Sequence, residues 1–157
     1  MVIAQRSGRK SWRLVAAACL VLSLAMLSSP TRSYGAKLPS DDEQEILIKT
    51  TLMTFNDANM TGNYSVLHAK SSRQLQDQIS VEKLTTAFQK FRDMRLNIES
   101  VVSDDIVLTE SKTNGDGVLE LVGMFKDDDK KIQYDLKFVK NDGIWRLLGI
   151  NVNYKDK

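Results

Sequence analysis

From Leu47 to Phe91 apolar residues recur three and four apart, and from Leu96 onward they alternate with polar ones, so the pattern predicts helices first and strands afterwards. Ser40-Asp41-Asp42-Glu43 reads as a capping box that starts a helix of about five turns. Ile48, Leu52 and Phe55 share its apolar face, and Gly62 supplies the stop. Asn63 then caps a short helix carrying Tyr64, Leu67 and His68, and a polar stretch, SSRQLQDQ, follows. Ser80 caps a third helix. Val81, Leu84, Phe88 and Phe91 form one continuous stripe along it as far as Asp93.

Leu96, Ile98 and Val101 open the first expected strand, with an interruption at Ser103-Asp104-Asp105 before Ile106 to Thr109. Asn114-Gly115-Asp116-Gly117 signals a hairpin, both glycines allowing positive φ, and Val118 to Lys126 forms the next strand. Asp127-Asp128-Asp129-Lys130 and Asn141-Asp142-Gly143 turn the chain into Lys131 to Lys140 and then Ile144 to Tyr154. Ile132, Tyr134, Leu136 and Phe138 point one way, while Gln133, Asp135 and Lys137 point the other. One face is therefore solvated. In the last strand Ile144, Leu148, Ile150 and Val152 share a phase opposite to Trp145 and Leu147, which predicts cover on both sides of its first half.

Ahead of this domain, residues 1–13 carry four positive charges, Leu14 to Leu27 is an uncharged apolar run, and SSPTRSYGA follows. That order is a secretion signal over residues 1–36, with Ser33 and Gly35 as the small residues a signal peptidase needs. The apolar run is shorter than the roughly 20 residues of a permanent span, so no stable membrane span is expected after cleavage. Arg9-Lys10 is not a twin arginine, and Ala16-Ala17-Ala18 lacks the leucine of a lipidation site before Cys19. Export by the general secretory route, to the periplasm or beyond, follows. The leader also distorts the charge balance. It contains five of the 22 basic residues and none of the 20 acidic ones, leaving residues 37–157 as a single domain with a net charge of −3. A weakly acidic domain argues against nucleic acid, which needs a basic patch. Cys19 is the only cysteine, so the domain depends on packing rather than disulfides or thiolate metal sites.

The segments LIKTTLMTFNDANMTGNYSVLHAKSSRQL, SVEKLTTAFQKFRD, GVLELVGMF and WRLLGINV together resemble the NTF2-like (cystatin-like) superfamily, and within it the secreted branch of uncharacterised proteins. The resemblance covers residues 41–154. It implies an α+β fold in which N-terminal helices pack on a curved antiparallel meander that forms a cone.

Candidate chemistry is sparse. His68 is the only histidine, and as a general base it would need a carboxylate such as Asp57 or Asp77. Ketosteroid-isomerase-like members of the superfamily place a tyrosine and acidic groups inside the cone, which makes Tyr64 and Tyr134 candidate oxyanion donors. The strand acids Glu120 and Asp135 fall on the solvated phase, and Asp104 and Asp116 fall in turns. Asp127-Asp128-Asp129 and Asp41-Asp42-Glu43 lack the alternating ligands and glycine of a calcium loop, so no metal or cofactor is expected. The aromatic residues are core or pocket wall.

Phe55, Tyr64, His68, Phe88, Tyr134 and Trp145 are accordingly the candidate pocket lining. The sequence points to an exported, non-enzymatic NTF2-like module that binds a small apolar ligand or a partner protein. The alternative is a small isomerase- or dehydratase-type enzyme working by acid–base chemistry in the cone. The superfamily dimerises through its outer sheet face, but Gln133, Asp135 and Lys137 on that face predict a monomer or weak homodimer.

Overall fold

The computed structural model describes residues 37–125 and 130–156. The secretion signal expected over residues 1–36 and most of the turn expected at Asp127–Lys130 lie outside the described residues.

Helix α1 spans Asp41–Thr61. The Ser40 hydroxyl accepts the Glu43 N–H at its start, three acidic residues occupy the first turn, and Gly62 ends it in the left-handed region at φ 71°. One face buries Gln44, Ile48, Leu52, Phe55 and Ala58. Four short helices follow: α2 (Ser65–Lys70), α3 (Arg73–Gln78), α4 (Val81–Ala87) and α5 (Gln89–Asp93).

Two of these depart from the pattern-based expectation. The polar stretch after α2 is itself helical, because the Ser72 hydroxyl caps it by accepting the Leu75 N–H. The expected third helix is broken at Phe88. Its Thr85 carbonyl, which an unbroken helix would give to the Gln89 N–H, accepts Arg92 Nη1 at 2.5 Å instead.

Leu96 and Ile98 do not begin a strand, although both are buried. The Ile98 N–H donates to the Asn56 side chain at 2.9 Å, and the Asn97 side chain accepts the Glu99 N–H as a 3₁₀ turn opens over Glu99–Val102. A side-chain acceptor has replaced the strand partner, and a local turn has won over extension.

Four antiparallel strands then form one sheet in chain order: β1 (Ile106–Thr113), β2 (Leu119–Phe125), β3 (Lys130–Asn141) and β4 (Ile144–Asp156). The protein is thus α+β. At the β1–β2 turn Asn114 Oδ1 accepts the N–H groups of Asp116 and Val118, and of the two glycines only Gly117 takes positive φ. Asp142 and Gly143, both at positive φ, make the tight β3–β4 turn.

The inner sheet face carries Leu119, Leu121 and Phe125 from β2, and Ile132, Tyr134, Leu136 and Phe138 from β3, all buried in the same core as α1. In β4 the alternation is corrected by a bulge. Lys137 pairs with Gly149 and Phe138 with Leu147, so Leu148 is an extra residue and the phase flips across it. Trp145 and Leu147 therefore join Val152 on the inner face, while Ile144 is 55% exposed. The expected cover on both sides of β4 is replaced by one buried face. Among the described residues no helix is long and apolar enough to cross a membrane.

Candidate functional site

The six residues singled out from the sequence fall in four neighbourhoods. Phe55, Tyr64 and Phe88 belong to an aromatic cluster with Phe91: Phe55 meets Phe88 edge-on at 4.9 Å, and Phe88 stacks on Tyr64 at 5.8 Å. Tyr64 is fully buried. Its hydroxyl donates to Asn59 Oδ1 and accepts from Arg92 Nη1 at 3.3 Å, and the guanidinium lies 5.6 Å from the ring centroid. Burial raises the Tyr64 phenol above its usual range, and the neighbouring cation offsets part of the rise.

Tyr134 is elsewhere, beside Phe125 on the inner sheet face at 5.5 Å. His68 donates its Nε2 hydrogen to the Ile79 carbonyl at 2.9 Å, which ties α2 to the chain entering α4. Neither Asp57 nor Asp77 bonds to it. Among the described residues no three His, Cys, Asp or Glu side chains are grouped as metal ligands.

Trp145 alone of the six lines the groove that combines most apolar wall with polar tips. This groove, of about 210 Å³, lies between α1, α2 and the adjoining ends of β3 and β4. Leu47, Leu67, Phe138, Trp145 and Leu147 make its apolar wall, and Thr50, Thr51, Thr54, Lys70 and Arg146 add the polar groups. Local chemistry explains why these elements meet. The Ser72 N–H donates to the Leu147 carbonyl at 2.8 Å, the Arg73 N–H donates to Asn141 Oδ1 at 2.9 Å, and Arg73 pairs with Asp142 at 2.5 Å. The chain joining α2 to α3 is thereby pinned along the edge of β4, and the groove keeps its width.

The threonines differ in what they can still offer. Thr50 and Thr54 spend their hydroxyl hydrogens on the helix carbonyls of Ile46 and Thr50, while Thr54 Oγ1 also accepts Lys70 Nζ at 3.2 Å. The hydroxyl of half-buried Thr51 has no hydrogen-bond partner among the described residues and can donate into the groove. Lys140 reaches the other side of the wall, with Nζ 4.9 Å from the Trp145 ring centroid. No Asp or Glu lines this groove. By contrast, a second groove between α1 and β1 is rimmed by Asp41 and Glu45 and has no aromatic wall.

Sequence reasoning missed Leu47, Thr51, Thr54, Leu67, Lys70 and Leu147 as site residues. Leu47, Thr51 and Thr54 are spaced four and three apart on α1, which was a usable signal for one shared face. Lys70 and Leu147 gave none, since their approach depends on how α2 meets the edge of β4. Compared with family models, curated proteins and solved structures, the chain matches none of them.

Proposed function

We propose that this chain is an exported, non-enzymatic NTF2-like module that holds a small apolar ligand in the groove walled by Leu47, Leu67, Phe138, Trp145 and Leu147. The order of elements, a long helix followed by short helices and a four-stranded meander packed on it, supports the superfamily reading. The observation that carries the ligand reading is the groove itself. Four elements, α1, α2, β3 and β4, converge on an aromatic and aliphatic wall of five residues edged by five polar ones, and an apolar wall with placed polar groups is what small-molecule sites share. Its 210 Å³ is below the roughly 300–1,000 Å³ of drug-sized sites, so the ligand is compact.

Acid–base catalysis by His68 or Tyr64 has less support. Each already gives its hydrogen to a fixed structural acceptor, the Asn59 amide oxygen for Tyr64 and the Ile79 carbonyl for His68, and neither hydrogen-bonds to a carboxylate among the described residues.

Trp12 and Trp145 are the two tryptophans, so a Trp12→Phe background makes the emission of Trp145 a direct probe of the groove. Titration with 1-octanol is expected to give a saturable shift of that emission. Thr51→Phe, which fills the groove from α1, is expected to remove the shift while leaving the far-ultraviolet circular dichroism unchanged. A linear, non-saturating response, or one that Thr51→Phe leaves intact, would overturn the proposal.

A further inference from the structure

Resting on that ligand reading, we infer that the groove selects a carboxylate-headed apolar molecule, with the tail against Trp145 and Leu67 and the carboxylate on Lys70 Nζ and the Thr51 hydroxyl.

Charge complementarity is what specifies the head group. The lining contains two cationic residues, Lys70 and Arg146, and no Asp or Glu to neutralise them. Among the described residues neither forms an ion pair. The Lys70 ammonium is instead held by a neutral acceptor, Thr54 Oγ1 at 3.2 Å. This bond uses one of its three hydrogens and places the charge at the groove. Thr54 is itself fixed by its bond to the Thr50 carbonyl at 2.8 Å, so the ammonium is tethered to the rigid face of α1. The unengaged Thr51 hydroxyl is one residue from Thr50 on the same helix and lines the same groove.

An oxyanion is the ligand group that completes this set. It would accept the remaining Lys70 hydrogens and the Thr51 hydroxyl, gaining charge-assisted bonds that an alcohol or amide cannot match. The wall sets the rest of the molecule. Leu67, Phe138, Trp145 and Leu147 are all buried, and any added polar group on the tail would lose its water there without a partner. A sugar acid or sugar phosphate is therefore disfavoured relative to a simple alkyl or aryl carboxylate.

The test compares octanoate with octanamide, which shares its skeleton but lacks the charge, by Trp145 emission in the full chain carrying Trp12→Phe. Octanoate is expected to bind roughly fivefold more tightly, the size of effect a partly exposed ion pair provides, with the preference falling as salt is raised. Lys70→Met should abolish the preference by weakening octanoate binding more than octanamide binding, and Lys70→Arg should retain most of it. Equal affinities, or a preference unaffected by Lys70→Met, would overturn the carboxylate assignment while leaving the groove as an apolar site. If neither compound shifts the emission saturably, the groove reading fails as well.

Discussion

The ring of Tyr134 lies across Gly123, its cross-strand neighbour, so closely that a Cβ on the glycine would stand 2.5 Å from the phenol oxygen and 2.5 Å from the Val107 carbonyl oxygen. The glycine is required here by space rather than by backbone angle. Gly123→Ala is expected to destabilise the fold by about 1–3 kcal/mol, the usual cost of forcing extra volume into a packed site. Urea denaturation measures this, and an unchanged midpoint would show that the strands yield without cost.

The Tyr134 hydroxyl is buried and finds no hydrogen-bond partner among the described residues. Tyr134→Phe removes the oxygen and its desolvation cost while keeping the ring, so stability should stay level or rise by about 1 kcal/mol. Combined with Gly123→Ala it should recover part of the alanine's cost, because the contact with the phenol oxygen is then gone while those with the Tyr134 ring carbon and the Val107 carbonyl remain.

That same hydroxyl sets an alkaline limit. Burial pushes the Tyr134 phenol well above the usual tyrosine range. A group whose folded value is raised contributes stability that is whole below about pH 10 and is lost as pH climbs beyond it, at about 1.4 kcal/mol per pH unit. Tyr64 is shifted in the same direction, so Tyr134→Phe should flatten the decline without abolishing it. Denaturation midpoints between about pH 9 and pH 11 would show the difference, and parallel declines would refute it.

Elements governed by local signals were legible in the sequence. The Ser40 cap, the Gly62 stop, the two hairpin turns and the alternation of Ile132, Tyr134, Leu136 and Phe138 each depend on neighbours within a few residues, and each is where it was expected. What was not legible depended on distant partners. Leu96 and Ile98 alternate like a strand, yet the Ile98 N–H is taken by Asn56, 42 residues earlier. The stripe through Phe88 reads as one helix until Arg92 claims the Thr85 carbonyl. A single extra residue, Leu148, reverses the faces of Trp145 and Leu147, and nothing in the pattern marks a bulge there. The groove followed the same division, since Trp145 was flagged by type, whereas Lys70 needed the fold to bring it to Thr54.

Asn56 therefore has a testable role as the anchor of the turn between α5 and β1. It is 1% exposed, and its Oδ1 accepts the Ile98 N–H at 2.9 Å. Asn56→Ala leaves that buried amide without its acceptor, at a cost of about 1–3 kcal/mol. Hydrogen exchange gives a more specific readout than the midpoint alone. The Ile98 amide should lose protection while amides in the centre of β3 keep theirs relative to global stability. Uniform loss across both would show that Asn56 supports the core generally and not this turn.

On the outer face of the sheet, pH dependence is joined to oligomeric state. Lys112, Glu120 and Lys137 are direct neighbours across β1, β2 and β3, and the Glu120 carboxylate meets Lys112 Nζ at 3.0 Å and Lys137 Nζ at 3.1 Å. Hydrogen bonds from Lys112 and then Lys137 hold Glu120 below the usual carboxylate range. Its contribution is therefore present above about pH 4.3 and is lost as pH falls through the depressed value. The stability gap between the wild type and Glu120→Gln should close on acidification and shrink in salt, since the two lysines are about half exposed. A dimer through this face would have to bury all three charges, together with Glu110, which also pairs with Lys112. Desolvation opposes that arrangement. Light scattering at micromolar concentration should accordingly give a monomer, and replacing the ladder with Lys112→Thr, Glu120→Val and Lys137→Thr should promote association. A tight wild-type dimer that Glu120→Val leaves unchanged would show that the protein self-associates elsewhere and that the ladder serves only the sheet.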